Sequence, residues 1–255
     1  PWVEAVRRLE DAAAPSILHL SKGVHVVLPA RRLPIRNIVI LTAADRRSIF
    51  AIPRGDIVYV GTTDTSYTGG TTVWPAIDPE DVASLLEPLA RSFDVAPLTP
   101  DECVSAWSGL RPLIAQPGKE AAEISRRDEI WTGPAGVVTV AGGKLTGYRR
   151  MACTVVAQVA GLLGRTLPDP GEDLPLPGGD FAGSLGALAS SLARHFALPD
   201  LTAGRLARLY GAEAEQVAKC GAAPILPEGR VLEGEIPWAI EQEGAATVCD
   251  VLYRR

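Results

Sequence analysis

The sequence predicts an α/β fold for the larger, amino-terminal part of the chain, followed by a small all-α carboxyl-terminal domain. Three observations predict this arrangement. Short runs rich in Val and Ile recur between Gly23 and Asp64, as they do in the strands of a sheet. Two long segments with apolar residues at helical spacing come next. A stretch crowded with Pro and Gly after Gly164 then separates them from further helical segments.

The early apolar runs are candidate strands, at Val24–Leu28, Ile38–Leu41, Ile49–Ile52 and Ile57–Val60. Between the last two runs lies Pro53-Arg54-Gly55-Asp56, whose residue types suit a tight turn. We therefore expect a hairpin at this point. Further strands are predicted at Cys103–Ser108 and Val137–Val140.

Two helices are predicted in the same part of the chain. Asp78 is a suitable cap for the first, because Pro79 follows at the first helical position and the acids Glu80 and Asp81 lie near the positive end of the helix dipole. The second predicted helix runs from about Gly147 to Leu163. Its apolar stripe is wide enough to be packed on most sides.

A domain boundary is predicted after Gly164, because Pro and Gly crowd the residues that follow. We expect one domain at residues 1–164 and a helical carboxyl-terminal domain at residues 165–255. Helical spacing within the second domain marks the segments Ser184–Phe196, Thr202–Tyr210, Ala212–Cys220, Ile236–Glu243 and Thr247–Arg255. Thr247 and Asp250 have the spacing of a capping box.

Composition and charge exclude several classes of protein. The net charge of −5 gives no general attraction to nucleic acid, so any phosphate recognition must be local. The four cysteines stand alone, which indicates neither a zinc site nor a disulfide framework and fits a reducing cytoplasm. No signal peptide follows Pro1, and the apolar stretch Met151–Leu163 is too short to cross a bilayer. We expect a soluble or peripherally attached protein.

The segment from Val137 to Arg149 places a strand, a glycine pair and a helix start in immediate succession. Gly142 and Gly143 permit positive φ and a close approach of the backbone to a flat ligand. The following helix start offers unpaired N–H groups and partial positive charge. Such a turn suits an anion or the electron-rich edge of a reduced flavin ring. Taken alone, the same residues could be a tight connection with a surface Lys144.

Five motifs occur in this order along the chain: Ser21-Lys22-Gly23-Val24-His25, Gly61-Thr62-Thr63-Asp64-Thr65, Gly109-Leu110-Arg111-Pro112-Leu113, Ile124-Ser125-Arg126 and Gly142-Gly143-Lys144-Leu145-Thr146-Gly147-Tyr148-Arg149. Together they resemble the FAD-dependent glycerol-3-phosphate dehydrogenases of the quinone-linked, aerobic type. The helical tail is similar to the family's carboxyl-terminal domain. The chain therefore resembles the carboxyl-terminal portion of the family, without its Gly-x-Gly-x-x-Gly segment that grips the FAD diphosphate.

The resemblance implies a substrate-binding α+β sheet with the last part of an FAD domain, followed by the helical domain. It implies oxidation of sn-glycerol 3-phosphate to dihydroxyacetone phosphate, with electrons passing through FAD to a quinone. Quinone use implies a cytoplasmic protein with a peripheral contact at the inner face of the cell membrane. The oligomeric state stays open, and the isolated fragment is expected to be inactive and to bind FAD weakly or not at all.

The resemblance also implies site residues. It places Arg111, Lys144 and Arg126 around the substrate, where Arg suits a phosphate because its planar fork binds through two bonds. The turn against the flavin ring consists of Gly142, Gly143, Lys144, Leu145 and Thr146. After Arg126 the family commonly has an acid and then His or Tyr, whereas this chain has Arg127 and Asp128.

Oxidation of an alcohol needs a base, and His is the usual choice near neutral pH. His25 is the catalytic candidate, with Lys22 beside it as a source of charge, although a packing role for His25 is an equal alternative. His19 and His195 are expected to be structural or exposed. Asp64 is expected to be a turn acid that bonds nearby backbone N–H groups.

Two other functions compete with this interpretation. A related amine or hydroxy-acid oxidase would share the sheet and the flavin-facing turn, and Arg111 would suit its carboxylate substrate equally well. Alternatively, the 255 residues are a non-catalytic interaction module that contacts a protein or a membrane. Turnover assays separate the first alternative, and a flavin absorbance scan separates the second.

Overall fold

The computed structural model describes residues 1–116, 128–167, 174–227 and 229–253. The chain divides into two compact units, Pro1–Leu167 and Pro168–Arg255. The first unit combines a sheet with helices and the second is helical, which is the fold class that the sequence predicts. The division follows Leu167, where the sequence analysis expects a boundary after Gly164.

A six-stranded antiparallel sheet forms the centre of the first unit. Its strands are β1 (Leu18–Pro29), β2 (Val39–Thr42), β3 (Ser48–Arg54), β4 (Ile57–Gly61), β5 (Thr65–Ser66) and β6 (Ser105–Ile114). Strand β1 pairs with β4 and β5 along one edge and with β6 along the other, while β3 and β2 continue outward from β4. The long strand β1 therefore lies at the centre of the sheet, with β4 and β6 as its neighbours.

The predicted hairpin is confirmed as β3 and β4, which pair from Phe50 with Gly61 to Arg54 with Ile57. Gly55 in the turn has a φ of +63°, a conformation that costs a glycine little. Two strand predictions were too short or shifted. Strand β1 begins six residues before the predicted Val24, and β6 begins at Ser105 and continues to Ile114.

One face of the sheet is covered by helix α2 (Pro79–Ser92), which begins where the sequence predicts. Asp78 caps it in a capping box with Asp81. The apolar residues of α2 and the sheet form one core, whose members include Val24, Val26, Leu28, Val58, Val60, Leu85 and Leu89. Because side chains alternate along a strand, the opposite face of β1 is left for other functions.

A two-stranded sheet of β7 (Glu129–Thr132) and β8 (Val138–Ala141) leads into helix α3 (Tyr148–Leu162). A short 3-10 turn, Leu145–Gly147, separates the glycine pair from α3. The expectation that α3 is packed on most sides is wrong for the described chain, where Ala160 is its buried residue. Val156 and Leu162 are more than half exposed, because the described residues of this unit cover little of the helix.

Three elements of the first unit were not predicted: α1 (Val3–Glu10), β5 and β7. Helix α1 spans only eight residues, which is short for helical spacing to be recognised, and it has no buried residue. Strands β5 and β7 have two and four residues, too few for alternation to be recognised.

The second unit is helical, as predicted, and consists of α4 (Leu185–Phe196), α5 (Asp200–Tyr210), α6 (Ala214–Cys220), α7 (Glu235–Glu241) and α8 (Val248–Tyr253). The predicted capping box is present, with Asp250 accepting from the backbone N–H of Thr247 at 2.8 Å and donating its own N–H to the Thr247 hydroxyl at 3.3 Å. Across the described residues, the helices are too short or too polar to cross a membrane.

A buried ionic group ties two helices of the second unit together. Glu235 at the start of α7 is 5% exposed, and its two carboxylate oxygens accept from Arg205 of α5 at 2.7 and 2.9 Å. Tyr210 donates its hydroxyl to the same carboxylate, and so does the backbone N–H of Leu232. Four donors compensate the buried charge, which would otherwise be costly.

Candidate functional site

The candidate site begins on the face of β1 that points away from the α2 core. Alternation along the strand puts Ser21, Gly23 and His25 on this face, whereas Val24 and Val26 enter the core on the other. Strand β6 runs alongside and pairs Ser21 with Arg111. We define the open face of the sheet as this side of β1, β4 and β6.

Arg111 lies across the open face and is held by the segment that links β4 to β5. Its Nη1 donates to the carbonyl oxygen of Thr63 at 3.1 Å, and its Nη2 donates to the hydroxyl of Thr62 at 2.6 Å. Asp64 lies 3.4 Å from Nη1 and also accepts from the hydroxyl of Ser21. These contacts orient the guanidinium group before any ligand binds.

Gly23 leaves the space that the guanidinium group occupies. A Cβ atom at Gly23 would overlap the terminal nitrogens and Cζ of Arg111. Gly61 has the same relation to His25, since a Cβ there would overlap the imidazole ring. The two glycines of the first two motifs are therefore required by side chains that cross from neighbouring strands.

His25 is held in a partly buried position on the open face. Its ring stacks on the indole of Trp107 with centroids 4.9 Å apart and ring planes at 7°. Nδ1 is buried, with no hydrogen-bond partner among the described residues. Burial, and secondarily the positive charge of Arg111, lower the pKa of His25 below its ordinary value. The imidazole is therefore neutral near pH 7, the form that a general base needs.

Lys22 does not join His25, which corrects the prediction of a shared catalytic role. Its side chain lies on the core face, where Nζ contacts Asp81 at 2.7 Å and Asp78 at the start of α2. Burial by itself would lower the pKa of Lys22, but the hydrogen bonds that its ammonium group donates to the two carboxylates, with their negative charge, outweigh burial and raise the pKa. Alternation along β1 is the reason, because successive residues must point to opposite faces.

A cavity of about 460 Å³ brings Arg111 together with the glycine turn. Its lining residues are Leu110, Arg111, Pro112, Leu113, Gly142, Gly143, Lys144 and Leu145. Lys144 also lines a second cavity of about 480 Å³, with Arg150 and Met151. Two cations from motifs far apart in the sequence therefore meet around one open volume in the first unit.

The glycine turn has the properties that a flat cofactor edge requires. Gly142 and Gly143 have φ values of +79° and +78°, which favour glycine, and a Cβ at Gly143 would lie 2.6 Å from Sδ of Met151. The backbone at this turn is thus unobstructed by side chains of its own. The residues present fit a flavin ring edge, with Lys144 beside it as a cation.

The other predicted residues fall in different places. Arg126 lies outside the described residues, and so does the whole of its motif, Ile124-Ser125-Arg126. Thr146 is exposed and is not among the residues lining the 460 Å³ cavity. Asp64 binds the side chains of Ser21 and Arg111, whereas backbone N–H groups were expected as its partners.

His19 and His195 are not among the residues that line the 460 Å³ cavity, although His19 pairs with the lining residue Leu113. His19 hydrogen-bonds Ser66 at 3.0 Å, and His195 contacts Phe196 in the second unit. Sequence reasoning missed Ser21, Thr62 and Trp107 as site residues. The first could have been found from alternation, since it lies two residues before Gly23 and four before His25.

Comparison with known proteins supplies the family. Residues 1–149 match the family model described as FAD dependent oxidoreductase, and residues 170–255 match the C-terminal domain of alpha-glycerophosphate oxidase. The chain is 37% identical over 269 aligned residues to the aerobic glycerol-3-phosphate dehydrogenase of Staphylococcus aureus strain USA300, covering all of this chain and 48% of that protein.

A solved structure is similar over almost the whole chain. The glycerol-3-phosphate dehydrogenase from Bacillus halodurans, complexed with FAD, has a TM-score of 0.80 and 33% identity over 98% of this chain and 50% of its own. The chain thus spans about half the length of the relatives it matches. Because the first family model covers 149 of the 255 residues, this chain belongs to the FAD-dependent oxidoreductase family.

Proposed function

We propose that this chain is the substrate-facing part of a flavoprotein that oxidises sn-glycerol 3-phosphate to dihydroxyacetone phosphate and passes the electrons through FAD to a quinone. The observation that carries the proposal is the meeting of Arg111 and Lys144 at the Gly142–Gly143 turn, in one cavity. The relatives named above as glycerol-3-phosphate dehydrogenases support the choice of substrate.

The two cations suit the phosphate group of this substrate. Arg111 presents a planar fork whose orientation is set by Thr62 and Thr63, and Lys144 adds a second positive charge to the lining of the same cavity. We propose Arg126, outside the described residues, as a third contact. A phosphate dianion held this way would place the carbon chain of the substrate along the open face of the sheet.

His25 is the proposed base for the hydroxyl group at carbon 2. Its lowered pKa keeps the imidazole neutral near pH 7, so it can accept the hydroxyl proton. FAD, when bound at the glycine turn, supplies the acceptor for the hydride from carbon 2. Loss of that proton and that hydride leaves the carbonyl group of dihydroxyacetone phosphate.

The test is Arg111→Lys in the complete enzyme, which keeps the charge and removes the planar fork. We expect kcat/KM for glycerol 3-phosphate to fall about 10- to 100-fold, because hydrogen bonds to charged groups contribute about 1.5–3 kcal/mol. The matched control is Arg54→Lys, an exposed residue in the β3–β4 turn. Unchanged KM and kcat in Arg111→Lys and in Arg111→Ala would remove the assignment.

The electron acceptor has a second candidate, because residues 170–255 match a domain named for an oxidase. Oxygen would then replace quinone and hydrogen peroxide would be a product. Steady-state turnover with a soluble quinone analogue, compared with peroxide formation in air, separates the two acceptors. Turnover on glycine or a hydroxy acid but not on glycerol 3-phosphate would favour the related oxidases instead. The proposed location is cytoplasmic, with a peripheral membrane contact at the point of quinone use.

A further inference from the structure

A row of directly paired residues crosses the open face of the sheet at His25. Ile40 pairs with Phe50, Phe50 with Gly61, Gly61 with His25, and His25 with Trp107. Directly paired residues of antiparallel strands point to the same face, so the five positions form one line across β2, β3, β4, β1 and β6. His25 is the titratable member of this row.

The two neighbours of His25 in the row restrict its ring from both sides. On the β4 side, Gly61 contributes no side chain, and the imidazole lies where a Cβ would be. On the β6 side, Trp107 lies parallel to the ring at 7°. Tyr59 meets the indole edge-on, with centroids 5.4 Å apart and planes at 90°. The stack is thus braced by a third aromatic ring from β4.

We propose that Trp107 is the positioning residue that fixes the imidazole of His25 for proton abstraction, an inference that rests on the proposed function. Among the described residues, the lining of the 460 Å³ cavity includes Arg111 and the glycine turn but not Trp107. The contact of Trp107 that bears on the proposed chemistry is its stack on the imidazole of His25.

The same contact limits access of water to the ring. Nδ1 of His25 is buried without a partner, so an imidazolium ion would carry an N–H group there with no acceptor. In the part of the chain that the structure describes, the charged groups near His25 on this face include Arg111 and Asp64, which form an ion pair. The other titratable groups there are Tyr59, whose ring contacts Trp107, and His19, which bonds Ser66. Lys22, Asp78 and Asp81 lie on the core face. Removing the indole would admit water to the ring and favour the protonated form.

The experiment compares Trp107→Leu and Trp107→Phe in the complete enzyme with bound flavin. For Trp107→Leu we expect kcat to fall about tenfold with KM for glycerol 3-phosphate unchanged. The acid limb of the pH profile of kcat/KM should move to higher pH by about half a unit to one unit. Trp107→Phe keeps an aromatic face, so its kcat and the position of the acid limb should both stay close to the wild-type values.

Trp74→Leu is the matched control, since this Trp is 77% exposed in the loop after β5. Flavin absorbance and thermal unfolding establish that each variant is folded. Wild-type kcat and an unmoved acid limb in both Trp107 variants would overturn the inference, as would a loss confined to KM. If the unaltered enzyme does not oxidise glycerol 3-phosphate at all, the proposed function itself fails, which is a distinct result.

Discussion

Gly23 and Gly61 each leave room for a side chain that crosses from a neighbouring position of the sheet. Arg111 occupies the space over Gly23, and His25 occupies the space beside Gly61. The proposed base, His25, and the proposed phosphate ligand, Arg111, therefore fit where they do because Gly61 and Gly23 have no Cβ atom. Substitutions of these glycines should therefore change the kinetic constants more than the stability of the fold.

Gly23→Ala should displace the Arg111 guanidinium without removing it. The added Cβ overlaps the terminal nitrogens, and forcing such an overlap typically costs about 1–3 kcal/mol. We expect KM for glycerol 3-phosphate to rise about tenfold or more in the complete enzyme, measured by steady-state kinetics. Gly186→Ala, in helix α4 with only ordinary contacts around it, is the control. A wild-type KM in Gly23→Ala would show that Arg111 is not positioned by this gap.

At the scale of elements, the contact between β1 and α2 depends on an ion pair inside the fold. Lys22, Asp78 and Asp81 join the strand to the first turn of the helix, and Lys22 also donates to the carbonyl oxygen of Ala76 at 3.1 Å. The side chains of Lys22 and Asp81 are each 8% exposed. The Lys22–Asp81 pair is therefore screened little by solvent, whereas the Asp78 side chain is 57% exposed.

Asp81→Ala should destabilise the first unit strongly. It removes one partner of a buried charge and also one half of the α2 capping box. Losing one partner of a buried pair costs about 3–5 kcal/mol when the remaining charge is left unpaired. Lys22 keeps its contact with Asp78, so we expect a loss at the lower end of this range. Denaturant unfolding followed by circular dichroism measures the change. The control is Glu87→Ala, whose i,i+4 pair with Arg91 is more than half exposed and contributes less than about 1 kcal/mol. Equal effects of the two changes would contradict this account.

At the scale of the whole molecule, the chain consists of two units with separate hydrophobic cores. The core of the second unit is formed within its own helices, with Leu206, Val217 and Leu232 fully or almost fully buried. The Glu235 carboxylate and its four donors also lie within this unit. Neither feature depends on the sheet of the first unit.

We therefore expect residues 168–255 to fold when expressed alone, with cooperative thermal unfolding followed by circular dichroism. In this segment Glu235→Gln should lower stability by about 2–4 kcal/mol, because Arg205 and Tyr210 lose a buried charged acceptor. Glu215→Gln, which alters an exposed i,i+4 pair with Lys219, should leave the midpoint almost unchanged. A segment with no cooperative transition would contradict the independence of this unit.

The sequence predicted those elements well whose signal lies in a few neighbouring residues, such as a helix cap, a turn glycine or helical spacing. Asp78 and Pro79 mark the start of α2, Gly55 marks the hairpin turn, and helical spacing marks all five helices of the second unit. These signals depend on residues within one turn of each other, so the sequence carries them directly. The family resemblance implied Arg111, Lys144 and Arg126 around the substrate, and the need for a base at neutral pH suggested His25.

Only the tertiary structure decided which of these residues share a face. The strand was predicted to begin at Val24, but pairing with β5 and β6 extends β1 back to Leu18, so Lys22 lies within the strand and points to the face opposite His25. His25 and Trp107 are 82 positions apart, yet the register of β1 with β6 stacks their rings. Register and packing depend on contacts between distant segments, and one sequence by itself does not display those contacts.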